Sequence, residues 1–393
     1  MALGGSPGVL SAARREAGRL VGSRYALVLL VLLPLAGFAL VAAIFWNRLP
    51  SDLPVAVVDA DRSLLSRRLV RMLDATKTIR VTGPFATPEA AFDEVLSGRA
   101  YAVVAIPDHL ERDVKRGEAP KVVLWVDAIR MIPASILRRD VKGVVGTLSA
   151  GVEIQARRAL GEPPDVAAAR FEPVRSMRGA LFNPGLDYLA FLAPALVPTL
   201  LSIFVLVGAV NALGSELRDG TAGAWLEAGG SATRAVLGTL LPQSAWFTAL
   251  GLAATAVLFR LLGVPLRGSA ALVALGTLLL VLAYQAAALL LVASSGNLRL
   301  ASSGAAFYGG PAFAFTGVTY PTFGMPLAAK AWGALLPVTH YIDLLVSQAM
   351  RGAPPATAVG PLTALAAFLV VLPPAALWRM GRLMRDPSTW GRT

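Results

Sequence analysis

Six uncharged apolar runs constrain this chain more than any other feature of its sequence. An α-helix of about 20 apolar residues crosses the hydrocarbon core of a bilayer. Hydrophobic residues make up 55% of the 393 residues, and the mean hydropathy is +0.63. We therefore expect a membrane α-helical protein with six transmembrane helices, at Tyr25–Trp46, Leu189–Leu213, Ala235–Phe259, Ala270–Ala293, Ser302–Val318 and Ala358–Leu377.

The spans are arranged as one helix, a long polar insertion and five further helices (1+5). The domain prediction is a cytoplasmic amphipathic N-terminal helix at 1–24, a transmembrane helix at 25–46, an external (periplasmic) α/β domain with a long helix at 47–187, a five-helix transmembrane domain at 188–380 and a basic cytoplasmic tail at 381–393.

Charge distribution predicts the orientation of the spans. The net charge of +12 would suggest nucleic-acid binding in a soluble chain, but here the arginines cluster in the segments that a six-span topology places with the two termini. Basic residues are retained on the cytoplasmic side of membrane proteins, whereas long domains translocate regardless of charge. We expect an inner (plasma) membrane protein with both termini in the cytoplasm, embedded in lipid and without a nucleic-acid partner.

The 47–187 segment alternates strand and helix signals. Apolar β runs at 53–58, 78–81, 101–106 and 121–127 are separated by helical segments, with Ser63 and Thr87 as predicted N-caps. This alternation favours a small α/β sheet. A long amphipathic helix is predicted from Met131 to Leu160, and Glu162–Met177 is predicted to be a linker.

Residues 9–24 combine arginines, including Arg15 and Arg19, with an apolar set at helical spacing: Val9, Ala13, Ala17, Leu20 and Val21. Such a helix lies in the membrane interface; the alternative is an ordinary positively charged flank. The following apolar run is longer than a signal-peptide core, so we predict an uncleaved anchor.

The 214–229 segment is short, charged and rich in glycine, and it lies between two predicted spans. As one helix it would place Glu216, Gly220 and Glu227 on one face and Leu217, Thr221 and Trp225 on another. An apolar stripe beside exposed carboxylates suits insertion into a groove of a soluble partner. The alternative is a simple amphipathic loop.

The 319–355 segment contains two apolar pieces that are too short to span a bilayer, Leu327–Leu336 and Thr339–Met350. Pro337 separates them, because proline disfavours helical geometry in the preceding residue. They are predicted to be half-helices entering the outer leaflet, with an extracellular capping hairpin as the alternative.

The sequence lacks the motif of an ATP-hydrolysing site. It contains no Gly-Lys dipeptide, which excludes a P-loop, and no cysteine. Its two histidines, His109 and His340, lie where structural roles are expected, and the predicted spans contain almost no ionisable residue. We expect no catalytic site, no metal site and no cofactor in this chain, with energy supplied by a partner.

Several motifs, in order along the chain, resemble ABC-2 type exporter permeases with a large external domain after the first span. They are Phe182-Asn183-Pro184 and Phe191-Leu192-Ala193-Pro194 at the second span, Glu216-Leu-Arg-Asp-Gly220-Thr221 after it, and Phe315-Thr-Gly317, Pro321, Pro326 and Pro337-x-x-x-Tyr341 further on. Two positions depart from the family pattern: Ala195 follows Pro194 where glycine is common, and Ala222 follows Thr221 where an acidic residue is common.

The resemblance implies a separate ABC ATPase subunit that binds ATP-Mg, and a dimer with a second permease copy or a paralogue. Coupling to the ATPase would involve Arg15, Arg19, Glu216, Leu217, Arg218, Gly220, Thr221 and Trp225. Gating through the half-helices would involve Pro321, Pro326, Pro337 and Tyr341. The external domain would gate the exit, meet a periplasmic adaptor or bind cargo.

The function expected from the sequence is export of cargo by the membrane subunit of an ATP-driven transporter. The alternative is a membrane-anchored receptor or scaffold whose external domain binds a ligand or an envelope protein. An intramembrane enzyme is disfavoured because no acid, base or metal set lies within the spans.

Overall fold

The computed structural model describes residues 6–46, 50–161, 163 and 181–391. The predicted linker at 162–177 therefore lies, apart from Pro163, outside the described residues. The chain forms two compact units, one made of Met1–Trp46 with Leu189–Thr393 and the other of Asn47–Tyr188.

The described helices, in chain order, are α1 (Val9–Gly22), α2 (Arg24–Ile44), α3 (Leu64–Asp74), α4 (Pro88–Leu96), α5 (Leu110–Lys115), α6 (Met131–Ala159), α7 (Tyr188–Arg218), α8 (Ala222–Gly229), α9 (Ala232–Leu261), α10 (Ala270–Ser295), α11 (Leu298–Gly309), α12 (Leu327–Ala334), α13 (Pro337–Leu345) and α14 (Val359–Leu383). The described strands are β1 (Leu53–Asp59), β2 (Ile79–Phe85), β3 (Ala102–Ile106) and β4 (Val123–Val126).

The second unit is built on a four-stranded sheet in the order β2-β1-β3-β4. β1 is parallel to β2 and to β3, and β4 is antiparallel to β3. Alternate residues of β1 face opposite sides, so Val57 packs in one apolar core and Val58 in the other. The predicted strand and helix order is confirmed, although β2 extends to Phe85.

Helix caps and helical periodicity in this unit match the sequence prediction. Ser63 and Thr87 each accept a hydrogen bond from the backbone of the first turn of their helices. The 29-residue α6 buries an apolar stripe that includes Ile136, Leu137 and Val141.

Five helices in the described residues are long and apolar enough to cross a membrane: Arg24–Ile44, Tyr188–Arg218, Ala232–Leu261, Ala270–Ser295 and Pro355–Leu383. Four of them contain a predicted span and extend it at one or both ends, whereas Arg24–Ile44 overlaps the predicted first span but ends two residues before Trp46. The chain is thus a multi-pass membrane protein.

The prediction of a continuous fifth span over Ser302–Val318 is wrong. α11 has only 12 residues and stops at Gly309, and a 3-10 turn follows at Ala312–Phe315. Pro311 lacks the amide hydrogen that would continue the helical ladder. Hydropathy registers an apolar run but not this interruption.

The N-terminal helix is present; Ala13 of its predicted apolar face is buried, but Val21 of that face is not. α1 packs on α9 through Ala12 and Ala13, whereas Val21 is 90% exposed. A Cβ added at Gly238 of α9 would lie 2.5 Å from the Ala12 Cβ atom. The two backbones approach so closely that only small residues fit between them.

The half-helix pair has a buried member and an exposed one. α13 packs against α10 and α14, and its Tyr341 hydroxyl lies 2.9 Å from Thr277 Oγ1. In contrast, α12 buries only Gly333. Pro337 is the first residue of α13, where its missing amide hydrogen costs nothing. The burial of α13 favours a half-helix over a capping hairpin.

Candidate functional site

The 214–229 segment is not one continuous helix. α7 continues through Glu216 to Arg218, and α8 begins at Ala222. Gly220 adopts a left-handed conformation, with φ of 69°. A left-handed residue ends a right-handed helix, and glycine adopts it without steric cost. The two faces predicted for a single helix are therefore wrong.

Two arginines of α1 converge on Glu216. Arg15 makes a two-point ion pair with it, at 2.5 Å (Nη1–Oε1) and 2.9 Å (Nη2–Oε2). Arg19 Nη1 also contacts Oε1, and Arg19 Nη2 donates to Ser215 Oγ at 2.8 Å. The Thr221 hydroxyl donates to Glu216 Oε2 at 2.5 Å. We call Arg15, Arg19, Ser215, Glu216 and Thr221 the Glu216 cluster.

The burial of this carboxylate corrects the expectation that it is exposed to a partner. The Glu216 side chain has no exposed surface, while those of Arg15 and Arg19 are 26% and 35% exposed. A buried charge is tolerated when it is paired and hydrogen-bonded, and both conditions hold here. Glu216 therefore ties α1 to the end of α7 and to the residue that precedes α8.

Trp225 is likewise buried within the chain, not offered as an anchor to a partner. Its indole Nε1 donates to the Ala235 carbonyl at 3.2 Å and to Thr239 Oγ1 at 2.8 Å. Both acceptors belong to α9. A Cβ at Gly229 would lie 2.5 Å from the Ala235 backbone nitrogen, so α8 and α9 meet at van der Waals contact. These contacts connect α8 directly to α9.

The C-terminal tail holds the other side of α8, a contact that the sequence analysis missed. The Gly391 amide donates to the Leu217 carbonyl at 2.9 Å. The Trp390 ring packs on Gly223, where an added Cβ would approach it to 3.0 Å. Trp390 Nε1 also donates to the Leu383 carbonyl at the end of α14. Trp390, a large apolar residue in an otherwise polar tail, was the sequence signal that this contact existed.

The surface that remains exposed runs along one side of this segment. Its exposed residues include Arg218, Asp219, Gly220, Ala224 and Glu227. Arg218 and Asp219 pair side by side at 2.7 Å (Nε–Oδ1), and this hydrogen bond holds the pKa of the Asp219 carboxyl below its usual range. The face carries charges of both signs, and its Arg218–Asp219 pair can be replaced by ion pairs with a partner.

The predicted coupling residues thus divide into two groups. Arg218 and Gly220 lie on the exposed face, whereas Glu216, Leu217 and Trp225 are internal to the chain. Arg15, Arg19 and Thr221 are partly buried and belong to the Glu216 cluster.

The predicted gating residues are not gathered in one place. Pro337 and Tyr341 are buried in α13, and Pro321 and Pro326 are exposed at the ends of a 3-10 turn, Thr322–Gly324. His340 Nε2 lies 2.9 Å from the Ala334 carbonyl, which is the structural role expected for it.

His109 pairs with the exposed Asp108 at 3.0 Å, on the α/β unit. Its neighbour Glu111 accepts hydrogen bonds from the Leu64 and Leu65 amides. A hydrogen bond from Lys115, with others from Leu65 and Ser63, lowers the pKa of Glu111 to about 2. These groups fasten α5 to α3. Across the described ranges, no group of three His, Asp, Glu or Cys side chains is placed to bind a metal.

A family model described as ABC-2 family transporter protein matches residues 24–378. That range takes in the α/β unit, the Glu216 end of α7, α8 and the half-helix pair, and it leaves out the whole of α1. No curated protein matches the chain.

Proposed function

Because the chain belongs to the ABC-2 family of transporter proteins, we propose that it is the permease subunit of an ATP-driven exporter. The ATPase is a separate protein, since no P-loop is encoded here. Cargo leaves through the membrane unit in the outward direction. The observation that carries the proposal is the Glu216 cluster, which links the exposed face beside α8 to helices of the membrane unit.

The ATPase docks on the exposed face formed by Arg218, Asp219, Gly220, Ala224 and Glu227. Displacement of α8 then acts on four helices. The Trp225 hydrogen bonds reach α9, the Glu216 cluster reaches α7 and α1, and Trp390 with Gly391 reaches α14. These contacts support a role for α8 in passing movement from the ATPase to the spans.

The orientation follows from the distribution of charge. Arginines lie in α1, beside α8 and at the end of α14, so these elements face the cytoplasm. The α/β unit then lies outside the inner (plasma) membrane, where it gates the exit or meets a periplasmic adaptor. In this proposal α11 and the turn after it form a broken fifth crossing. The membrane unit then has six crossings in the 1+5 arrangement.

Two further features complete the proposal. The permease acts as a dimer with a second copy or a paralogue, as family membership supports. The half-helices α12 and α13 gate the outer end, a role supported by the burial of Tyr341 against Thr277 and by the exposed Pro321 and Pro326 at the approach to α12.

The test is to purify the tagged chain from its native membrane, identify the ATPase that co-elutes, and reconstitute both in vesicles. We expect Glu227→Lys and Ala224→Trp to lower co-elution and permease-dependent ATPase activity, because both alter the exposed face without touching a buried side chain. Ser97→Trp, an exposed substitution on the α/β unit, is the matched control. Transport by vesicles that contain this chain alone would refute the proposal.

A further inference from the structure

A cavity of about 800 Å³ opens beside the Glu216 cluster, between α1, the start of α2, the end of α7, α9 and the start of α11. This volume is within the range of small-molecule sites. Its apolar wall includes Leu20, Leu29, Leu30 and Leu298, and its polar wall includes Glu16, Asn211 and Gln243. A site with one apolar and one polar wall suits an amphipathic molecule.

The cations that line this cavity are already neutralised by carboxylates. Arg218 is paired at two points with Asp219, at 2.7 and 3.1 Å. Arg19 contacts Glu216, donates to Ser215 and reaches Glu16 Oε2 only at 3.3 Å. Each of these guanidinium groups is therefore already paired with a carboxylate.

The hydrogen-bond acceptors of the cavity wall, Gln243 and Glu16, can in contrast accept further hydrogen bonds. Gln243 is 1% exposed, and its Oε1 atom has no hydrogen-bond partner among the described residues. This oxygen lies beside Gly208, another residue of the cavity wall. Glu16 is 2% exposed and shares its nearest cation, Arg19, with Glu216.

The pKa of the Glu16 carboxyl also indicates that this group has too few hydrogen-bond donors and positive charges around it. Burial raises the pKa of the Glu16 carboxyl, and the opposing effects of Arg19, Gln243 and Arg15 do not cancel the rise. A carboxylate in this position is stabilised by any further donor, most of all by a cationic one.

We propose that this cavity binds the headgroup of an amphipathic primary amine, with Glu16 and Gln243 as its acceptors and the leucine wall along its chain. The ammonium group supplies three donors and a positive charge. Such an amine is either a cargo molecule or an amino-headgroup lipid of the bilayer. That the bound amine is exported is the one step that rests on the proposed function; binding itself does not depend on it.

The experiment measures binding of dodecylamine to the full-length protein in phosphatidylcholine nanodiscs, without any ATPase, by native mass spectrometry and calorimetry. Phosphatidylcholine has no N–H donor, so the bilayer does not compete. We expect dodecylamine to bind, and dodecanol and dodecyl sulfate to bind at least about tenfold more weakly, which is the value of one charged hydrogen bond.

Two variants locate the site. Glu16→Gln should weaken dodecylamine binding at least about tenfold while leaving dodecanol binding unchanged. The matched control is Glu118→Gln, the same substitution at an exposed glutamate of the α/β unit, which should bind as the wild type. Gly18→Phe fills the cavity, since a Cβ at Gly18 meets no atom within 4 Å, and Gly143→Phe is its matched control in the α/β unit. Gly18→Phe tests the site independently if Glu16→Gln does not fold.

Phosphatidylethanolamine nanodiscs distinguish the two sources of the amine. If the wild type retains phosphatidylethanolamine, Gly18→Phe does not, and the lipid competes with dodecylamine, then the bound amine is a bilayer lipid. If dodecylamine binds equally well in phosphatidylethanolamine nanodiscs, then the bound amine is a free amphiphile. Equal binding of dodecyl sulfate, or wild-type affinity in both Glu16→Gln and Gly18→Phe, overturns the inference. An absent ATPase partner would overturn the proposed function and leave this binding result standing.

Discussion

At the scale of single residues, one carboxylate organises the site. Glu216 accepts from two arginines of α1 and from the Thr221 hydroxyl, although it is fully buried. The sequence pattern placed Glu216 on a helix of the charged 214–229 segment, whereas it lies in the last turns of α7. The pattern could not reveal burial, because the arginines that permit burial lie about 200 positions earlier in the chain.

Glu216→Gln should weaken this cluster, because an amide carries no charge and turns one acceptor into a donor facing other donors. We expect a loss of about 3 kcal/mol, at the lower end for a broken buried ion pair since Arg15 and Arg19 retain contact with water. The melting temperature of the purified protein should then fall by roughly 3–6 °C for a chain of this size. Glu227→Gln is the control, and equal melting temperatures for the two variants would contradict the assignment.

At the scale of elements, close backbone approach explains what hydropathy missed. The buried stripe of α1 is made of Ala12, Ala13 and Glu16, which is less apolar than the exposed stripe that contains Leu10 and Val21. Periodicity predicted the helix and placed Ala13 on its apolar face, but it did not reveal the burial of Ala12 and Glu16, because the fit depends on a glycine in another helix. The interruption at Pro311 was also readable in the sequence, but the apolar character of the run outweighed it.

Gly238→Ala tests this contact. The added methyl group would lie 2.5 Å from both the Ala12 Cβ atom and the Val9 carbonyl oxygen, so α1 must move away from α9. We expect a destabilisation of about 1–3 kcal/mol, as for other overpacked sites. Faster hydrogen exchange in 9–22 would report the release of α1. Gly18→Ala, with open space at its Cβ, should instead leave exchange unchanged or slower.

At the scale of the whole molecule, the order of parts was largely predictable. Apolar run length located the long helices, and alternation located the sheet, because both signals are local in sequence. The contacts that define the site were not predictable, since Arg15, Trp225 and Trp390 each pack against elements distant in the chain or across a turn. Local patterns carry no information on which distant element a side chain meets.

The proposed orientation is tested by cysteine labelling, which the chain favours because it has no native cysteine. Ala224→Cys places a thiol on the exposed side of α8, Ser97→Cys places one on the α/β unit, and Leu365→Cys is a buried control. In intact cells, a membrane-impermeant maleimide should label only Ser97→Cys; after lysis it should label Ala224→Cys as well. Labelling of Ala224→Cys in intact cells would reverse the topology.

The hydrogen bond from the Gly391 amide to the Leu217 carbonyl has a practical consequence for the design of fusion proteins. A purification handle or fluorescent reporter fused directly after Thr393 would be separated from Gly391 by only two residues, so its bulk would lie close to the short helix that Trp390 covers. Activity lost in such a fusion would reflect a crowded terminus and not a damaged fold. Fusions at the opposite end of the chain, or a long flexible spacer after Thr393, would avoid the artefact.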